Sequence, residues 1–224
     1  MTRMSYAAMV SGYRPEPATV GTVSSGQYFE DDPNVESEPR PVEVALPDVA
    51  FTLTADRGVF SADHLDAATK LLLLEAPPIT DDDQTVLDLG SGWGPIACVV
   101  AARAPHAAVW AVDVNERART LTRQNAAAIG AADRVHVAAP DDVPDDVRFD
   151  RILSNPPIRI GKQALHDLLI GWLSRLTPTG RAHLVVQKYL GSDSLATWLR
   201  GQGYEVDRLR SRAGIRILEV RPRG

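Results

Sequence analysis

From residue 85 onward, short apolar runs alternate with segments of helical periodicity. TVLDL (85–89), VWAVDV (109–114), RVHVA (134–138), FDRILS (149–154) and AHLVVQ (182–187) have strand length and the near-continuous apolar character of buried parallel strands. Between them, 95–104, 115–129, 162–175 and 192–201 carry helical spacing, with Leu165, Leu168, Leu169 and Trp172 on one stripe and Gly130 closing the second helix. YEVDRL (204–209) and IRILEV (215–220) flank a turn too short for anything but an antiparallel pair. The series predicts an α/β fold: a mostly parallel, Rossmann-like sheet with an antiparallel edge strand and helices on both faces.

Upstream, 42–46 and 50–54 alternate around a Pro-Asp turn and predict a hairpin, with 56–60 as a candidate extension of that small sheet. Ser61 reads as the N-cap of a helix over 62–75, stopped by Pro77 and Pro78. The expected organisation is a poorly ordered segment (1–26), a β-rich N-terminal extension (27–60) and one main domain (61–224).

Composition narrows the class. With 44% apolar residues in 224, a core is easily filled. No run of about 18 apolar residues suggests a membrane span, and the first residues lack a signal-peptide core. The lone Cys98 cannot form an internal disulfide, so a cytoplasmic protein is expected. Nothing in the chain points to an oligomer, and a monomer is the default. The net charge of −5 hides an asymmetry: residues 1–150 hold 11 Lys+Arg against 24 Asp+Glu, whereas 151–224 hold 13 against 5. The basic C-terminal part suits an anionic partner such as RNA, unless its arginines merely solvate a face.

VLDLGSGWG (86–94) places Gly90, Gly92 and Gly94 in a turn between a strand and a helix opening at Pro95. The spacing is G-x-G-x-G, and Pro95 occupies the place of the third glycine in a dinucleotide fingerprint. Asp88, just before the turn, would repel a pyrophosphate but suits a cationic amino group. Asp113 ends the next strand, where an acid can accept hydrogen bonds from ribose hydroxyls. An adenosine nucleoside with a positively charged tail and no phosphate meets both requirements, and S-adenosylmethionine is that molecule.

SNPPIRIGK (154–162) follows the fourth strand on the same edge. Pro156 and Pro157 restrict the residues before them to extended geometry. The Asn155 side-chain oxygen and the Pro156 carbonyl thus form a stiff pair of acceptors, matched to the two hydrogens of a primary amine. Acceptors preorganised in this way leave the amine nitrogen electron-rich for attack on a methyl carbon. Neither a metal nor a covalent nucleophile is required.

Taken together, DRGVFS (56–61), VLDLGSGWGPIA (86–97), AVDVNERA (111–118), SNPPIRIGK (154–162) and VVQKYLGSDSL (185–195) resemble the methyltransferase-small domain family of class I S-adenosylmethionine-dependent enzymes. That family includes ribosomal-RNA guanine-N2 methyltransferases, and the likeness covers roughly 27–221. It implies that Asp88, Gly90 and Gly92 line the methionine end of the cofactor and that Phe60 and Ser61 close over it. Asp113, with Val114 beside it, would hold the ribose. Ala139, Pro140 and Asp141 would flank the adenine. Asn155 would touch both cofactor and target amine, sharing the amine with Pro156. On the substrate side stand Pro157, Ile158, Arg159, Lys162 and Lys188. Two departures from the family pattern are present. Ile158 occupies a place often held by an aromatic that stacks on the target base, and Ala139 stands where an adenine-contacting acid is usual.

Gln187 is a further candidate substrate contact, and Arg208, Arg210, Arg212 and Arg216 are candidates for an RNA backbone. Trp93 reads as packing, His166 as a helix-surface residue, and Cys98 as core filler. The expected activity is methyl transfer from S-adenosylmethionine to an exocyclic amine of a ribosomal RNA base, guanine N2 foremost. The alternatives are a protein glutamine amide or small-molecule amine as acceptor, a nicotinamide oxidoreductase, and a non-catalytic RNA-binding module that keeps the fold.

Overall fold

The computed structural model describes residues 35–223; the 1–26 segment and the start of the N-terminal extension lie outside the described residues. The described residues begin with a hairpin, β1 (Arg40–Ala45) and β2 (Ala50–Ala55), paired antiparallel. There follow α1 (Ala67–Glu75), β3 (Thr85–Leu89), α2 (Pro95–Arg103), β4 (Ala108–Val112), α3 (Glu116–Ala128), β5 (Val135–Ala138) and β6 (Phe149–Ser154). The rest comprises α4 (Lys162–Leu173), β7 (Leu176–Gln187), α5 (Ser192–Gly201), β8 (Tyr204–Arg212) and β9 (Ile215–Pro222).

Strands β3 to β9 form one sheet in the order β5-β4-β3-β6-β7-β9-β8, parallel from β5 to β7. The single reversed strand is β9. It lies one position in from the edge, because the last hairpin inserts β9 between β7 and β8. Alternate residues of the strands feed two cores. Val86, Val109 and Leu153 face the hairpin and α1 to α3, whereas Leu87, Leu89 and Ile152 face α4 and α5. Val42, Val44 and Leu53 of the hairpin belong to the first core. Asn125 of α3 fastens β2, accepting from Thr54 N at 2.8 Å and donating to Thr54 O at 2.8 Å.

Three expectations are corrected. Residues 56–60 turn rather than extend the hairpin. The helix begins after Asp66, whose side chain accepts from Ala68 N and Thr69 N, whereas Ser61 sits at φ 54° with its hydroxyl on His64 O. β7 starts at Leu176 rather than 182, running through Pro178 and Gly180. Gly180 makes this possible, since a Cβ there would lie 2.7 Å from Phe149 O. Among the described residues no helix is long and apolar enough to cross a membrane.

Chain direction across the sheet changes between β3 and β6, since β4 and β5 build outward on one side and β7 on the other. In open α/β sheets, ligands sit beyond the strand ends at such a point. Leu89 and Ser154 are in register there, and Ser154 Oγ donates to Leu89 O at 2.7 Å. The residues that follow them, Gly90 and Asn155, therefore leave the sheet side by side.

Candidate active site

The glycine turn is closed by its own backbone. Gly90 N and Ser91 N donate to Val112 O at 2.8 and 3.1 Å, drawing β3 onto β4. Gly90, Gly92 and Gly94 all adopt positive φ, at 77°, 57° and 84°. At Gly90 a Cβ would meet nothing within 4 Å, so the chain leaves open space where a ligand can approach it. At Gly94 a Cβ would strike Thr122 Cγ2 at 2.8 Å, so that glycine serves the packing of α2 on α3.

Asp113 faces the turn. Its Oδ2 accepts from Gly92 N at 2.8 Å and its Oδ1 from Asn115 N at 2.9 Å. Burial pushes its pKa up to about 6, against the pull of the Asn115 and Gly92 N–H groups and of the Arg119 charge. Arg119 in turn donates to the Asp113 and Val114 carbonyls, fixing the backbone that carries both residues.

Asp88 lies beneath the turn. Its Oδ2 accepts from Ala97 N at 2.9 Å in the first turn of α2, and its Oδ1 is buried with no partner among the described residues. Burial raises its pKa to about 8, with the Asp113 charge adding to the rise. It is not part of the cavity wall. A direct contact with a cationic group was expected of Asp88; the structure instead buries its carboxylate outside the cavity wall, where it holds the first turn of α2 through Ala97 N. Cys98 is buried with its thiol pushed up to about 12, which excludes a thiolate nucleophile.

The Asn155-Pro156-Pro157 corner is held from both sides. Asn155 Nδ2 donates to Asp66 Oδ2 at 2.9 Å and to Thr69 Oγ1 at 3.0 Å. Both amide hydrogens are thereby used, and the group Asn155 has left to offer is its acceptor, Oδ1. Pro157 sits at φ −75°, ψ 73°, the centre of an inverse γ-turn in which Ile158 N donates to Pro156 O at 2.8 Å. One lone pair of that carbonyl is thereby committed, and one remains to accept from a ligand.

A cavity of about 310 Å³ lies between turn and corner, within the size range of small-ligand pockets. Of the residues expected on the cofactor side, Phe60, Gly90, Gly92, Asp113, Val114 and Asn155 line it. Of those expected at the acceptor, Pro156, Pro157, Ile158 and Arg159 do, as does Gln187. Ala139, Asp141, Lys162 and Lys188 do not. Ala139 leads into a 3-10 turn (Pro140–Asp142) that carries Asp141 to the exposed surface, and Lys162 and Lys188 are likewise exposed. The wall also contains Asp66 and Tyr189. Asp66 had a legible signal, an acid just before an apolar helical run; Tyr189 had none beyond its place after a strand.

Phe60 is positioned by two bonds from below. Trp93 Nε1 donates to Ser61 O at 3.2 Å, and Asn115 Nδ2 to Gly58 O at 2.9 Å. Trp93 is buried, as its packing role requires. His166 is buried too, rather than on the surface, and stacks on Trp198 with ring centroids 3.5 Å apart. Three of the four arginines have acidic partners: Arg208 and Arg216 share Asp193, and Arg210 pairs with Glu75. Among the described residues Arg212 makes no ion pair.

The sheet order, with a glycine turn and an acid at its switch point, is that of Rossmann-like methyltransferases. The 16S rRNA N2 G1207 methyltransferase of T. Thermophilus, solved with AdoMet and guanosine, shares the fold at a TM-score of 0.71 and 23% identity, over 85% of this chain and 52% of that one. Residues 50–219 match the Methyltransferase small domain model, and the chain belongs to that family. Membership bears out the expected enzyme class, a methyltransferase, and its cofactor, S-adenosylmethionine.

The Bacillus subtilis protein YbxB, described as uncharacterized, is 31% identical over 202 residues, covering 88% of this chain and 98% of its own. Ribosomal RNA small subunit methyltransferase C of Aeromonas hydrophila is 36% identical over 121 residues, covering 53% of this chain. The match spans only 34% of that relative's own length, about a third.

Proposed function

We propose that this protein methylates an exocyclic amine of a ribosomal RNA base, guanine N2 foremost, in the cytoplasm. One observation carries the reading. The Asn155 amide is locked with both hydrogens on Asp66 and Thr69, so that only its oxygen is left for a ligand, beside the glycine turn in one shared cavity. An acceptor in that position suits an NH2 donor. The related ribosomal RNA methyltransferases and the basic C-terminal part support RNA as its source.

Gly90 and Gly92 would receive the cofactor, with Asp113 on the ribose and Phe60 over the methionine portion. The open space at Gly90 and the two oxygens of Asp113 fit that group. When bound, S-adenosylmethionine supplies an electrophilic methyl carbon on a positively charged sulfur. Asn155 Oδ1 and the remaining lone pair of Pro156 O would take the two amine hydrogens, turning the nitrogen lone pair toward that carbon. Because both acceptors are fixed before the substrate arrives, they need no reorganisation in the transition state. The methylated nitrogen is strongly acidic and loses its extra proton to water. Pro157, Ile158 and Arg159 would contact the nucleotide.

Radiolabelled methyl transfer to ribosomal subunits, free ribosomal RNA and a protein extract, run in parallel, tests the proposal. Label in a ribosomal RNA base supports it. Label confined to protein refutes it.

A further inference from the structure

Ile158 covers one side of the cavity with an alkyl group and gives a base no aromatic face. The question is what does. The large hydrophobic side chains exposed among the described residues are Phe60, Leu74 and Tyr189. Leu74 lies in α1 away from the cavity, whereas Phe60 and Tyr189 both line it, from opposite ends of the chain.

Tyr189 is 78% exposed, so packing does not account for its ring. The backbone that carries it is nonetheless held. β7 ends at Gln187, a 3-10 turn (Lys188–Leu190) follows, and Gly191 at φ 94° reverses the chain into α5. Lys188 N donates to Gly214 O at 2.7 Å and Gly191 N to Lys188 O at 3.1 Å, bracketing the residue. Gln187 and Leu190, on either side, also line the cavity. An aromatic ring on a held backbone, uncovered by its neighbours and set at the cavity wall, is a platform waiting for a flat partner. One cation shares the wall with it: Arg159 forms no ion pair among the described residues, unlike Arg208, Arg210 and Arg216.

We propose that Tyr189 stacks on the target base after the base has left its helix or loop, supplying the aromatic face that Ile158 lacks. The inference rests on the RNA reading above. Single-stranded and extruded bases are recognised in this way because every base has a π-face.

Two variants test it: Tyr189→Leu, which keeps apolar bulk but removes the ring, and Tyr189→Phe, which keeps the ring. Steady-state methylation of ribosomal RNA gives KM and kcat, and calorimetry gives S-adenosylmethionine affinity. Tyr189→Leu is expected to raise KM for RNA about tenfold or more, with a smaller change in kcat and unchanged cofactor affinity. Tyr189→Phe should restore KM to within about threefold of the unmodified protein. The proposal is overturned if Tyr189→Leu leaves KM unchanged, if Tyr189→Phe is as impaired as Tyr189→Leu, or if cofactor affinity falls as far as RNA affinity. Should the unmodified protein methylate no RNA, the failure is that of the RNA reading, and it is visible before either variant is compared.

Discussion

Asn155 Nδ2 donates to Asp66 Oδ2 at 2.9 Å, across 89 residues of chain. The same carboxylate oxygen caps α1 through Ala68 N and Thr69 N, each at 2.9 Å. The start of a helix and the orientation of the proposed acceptor thus depend on one side chain. Asp66→Ser separates the two roles, since Ser also caps helices but is too short to reach Asn155. Its unfolding free energy should change by less than about 1 kcal/mol, while kcat falls about tenfold, equivalent to about 1.4 kcal/mol of transition-state stabilisation. Asp66→Ala should lose both, with stability lower by about 1 kcal/mol. Paired chemical denaturation and kinetics check this; a kcat for Asp66→Ser within twofold of the original refutes the orienting role.

This pairing marks the limit of what the chain discloses before it folds. The glycine turn and the Asn-Pro-Pro corner are local: few residues at fixed spacing determine their shape, and the alternating elements place both on one edge. The sheet strands follow from their apolar runs. What resists such reading is direction and distant contact. Lys162 and Lys188 follow the corner and the last parallel strand in sequence, yet both are exposed and neither lines the cavity. The salt partners of Arg208 and Arg210 are Asp193 and Glu75, the latter 135 residues away from Arg210. Asp66 had an N-cap's pattern, but Ser61 offered a competing one, and only tertiary packing of 57–65 as a turn decides between them.

Asn155→Ala removes the acceptor and leaves Asp66 and Thr69 without their donor. Methyl transfer should fall by about a hundredfold or more, the scale seen when one preorganised polar group is deleted from an active site. Asn155→Asp keeps an acceptor but sets a carboxylate against Asp66, and should be as inactive at neutral pH. Single-turnover methyl transfer with saturating cofactor measures both. Activity of Asn155→Ala within tenfold of the original contradicts the assignment.

Asp88 offers a test that needs no substrate. Its folded pKa of about 8 lies above the ordinary 3.8. A group raised on folding contributes stability below its unfolded pKa and loses it as pH climbs through the folded value. The original protein should therefore lose stability relative to Asp88→Asn between about pH 4 and pH 8, since the amide cannot ionise. Thermal unfolding of both proteins across that range gives the difference directly. A Tm difference that stays constant with pH shows that Asp88 is not buried as described.

Asp113 titrates where binding can be followed. Only its ionised form can accept from both ribose hydroxyls, and its pKa without ligand is about 6. Cofactor affinity should be flat above about pH 7 and fall toward tenfold per unit well below pH 6, with proton release on binding near the pKa. In Asp113→Asn the affinity should be weaker and independent of pH. Calorimetric titrations in two buffers of different ionisation heat supply both quantities. Equal affinity at pH 5 and pH 7 rules out this carboxylate as the ribose acceptor.

Gly90 and Gly94 share a left-handed backbone, at φ 77° and 84°, yet meet different surroundings. Alanine at either position incurs the conformational penalty of about 1–2 kcal/mol. At Gly94 the new Cβ also meets Thr122 Cγ2 at 2.8 Å and Oγ1 at 2.9 Å, and Thr122 is held by its own bond to Gly92 O at 3.0 Å. Relief would require the packing of α3 on the turn to open, which adds about 1–3 kcal/mol. At Gly90 the Cβ would enter open space at the cavity wall, so the damage should appear in ligand affinity rather than in further instability. Denaturant unfolding and cofactor titration of the two variants distinguish these roles. Gly94→Ala should be the less stable protein, and Gly90→Ala should show the larger loss of cofactor affinity per unit of lost stability. The reverse order would mean that the open space beside Gly90 is not where the cofactor lies.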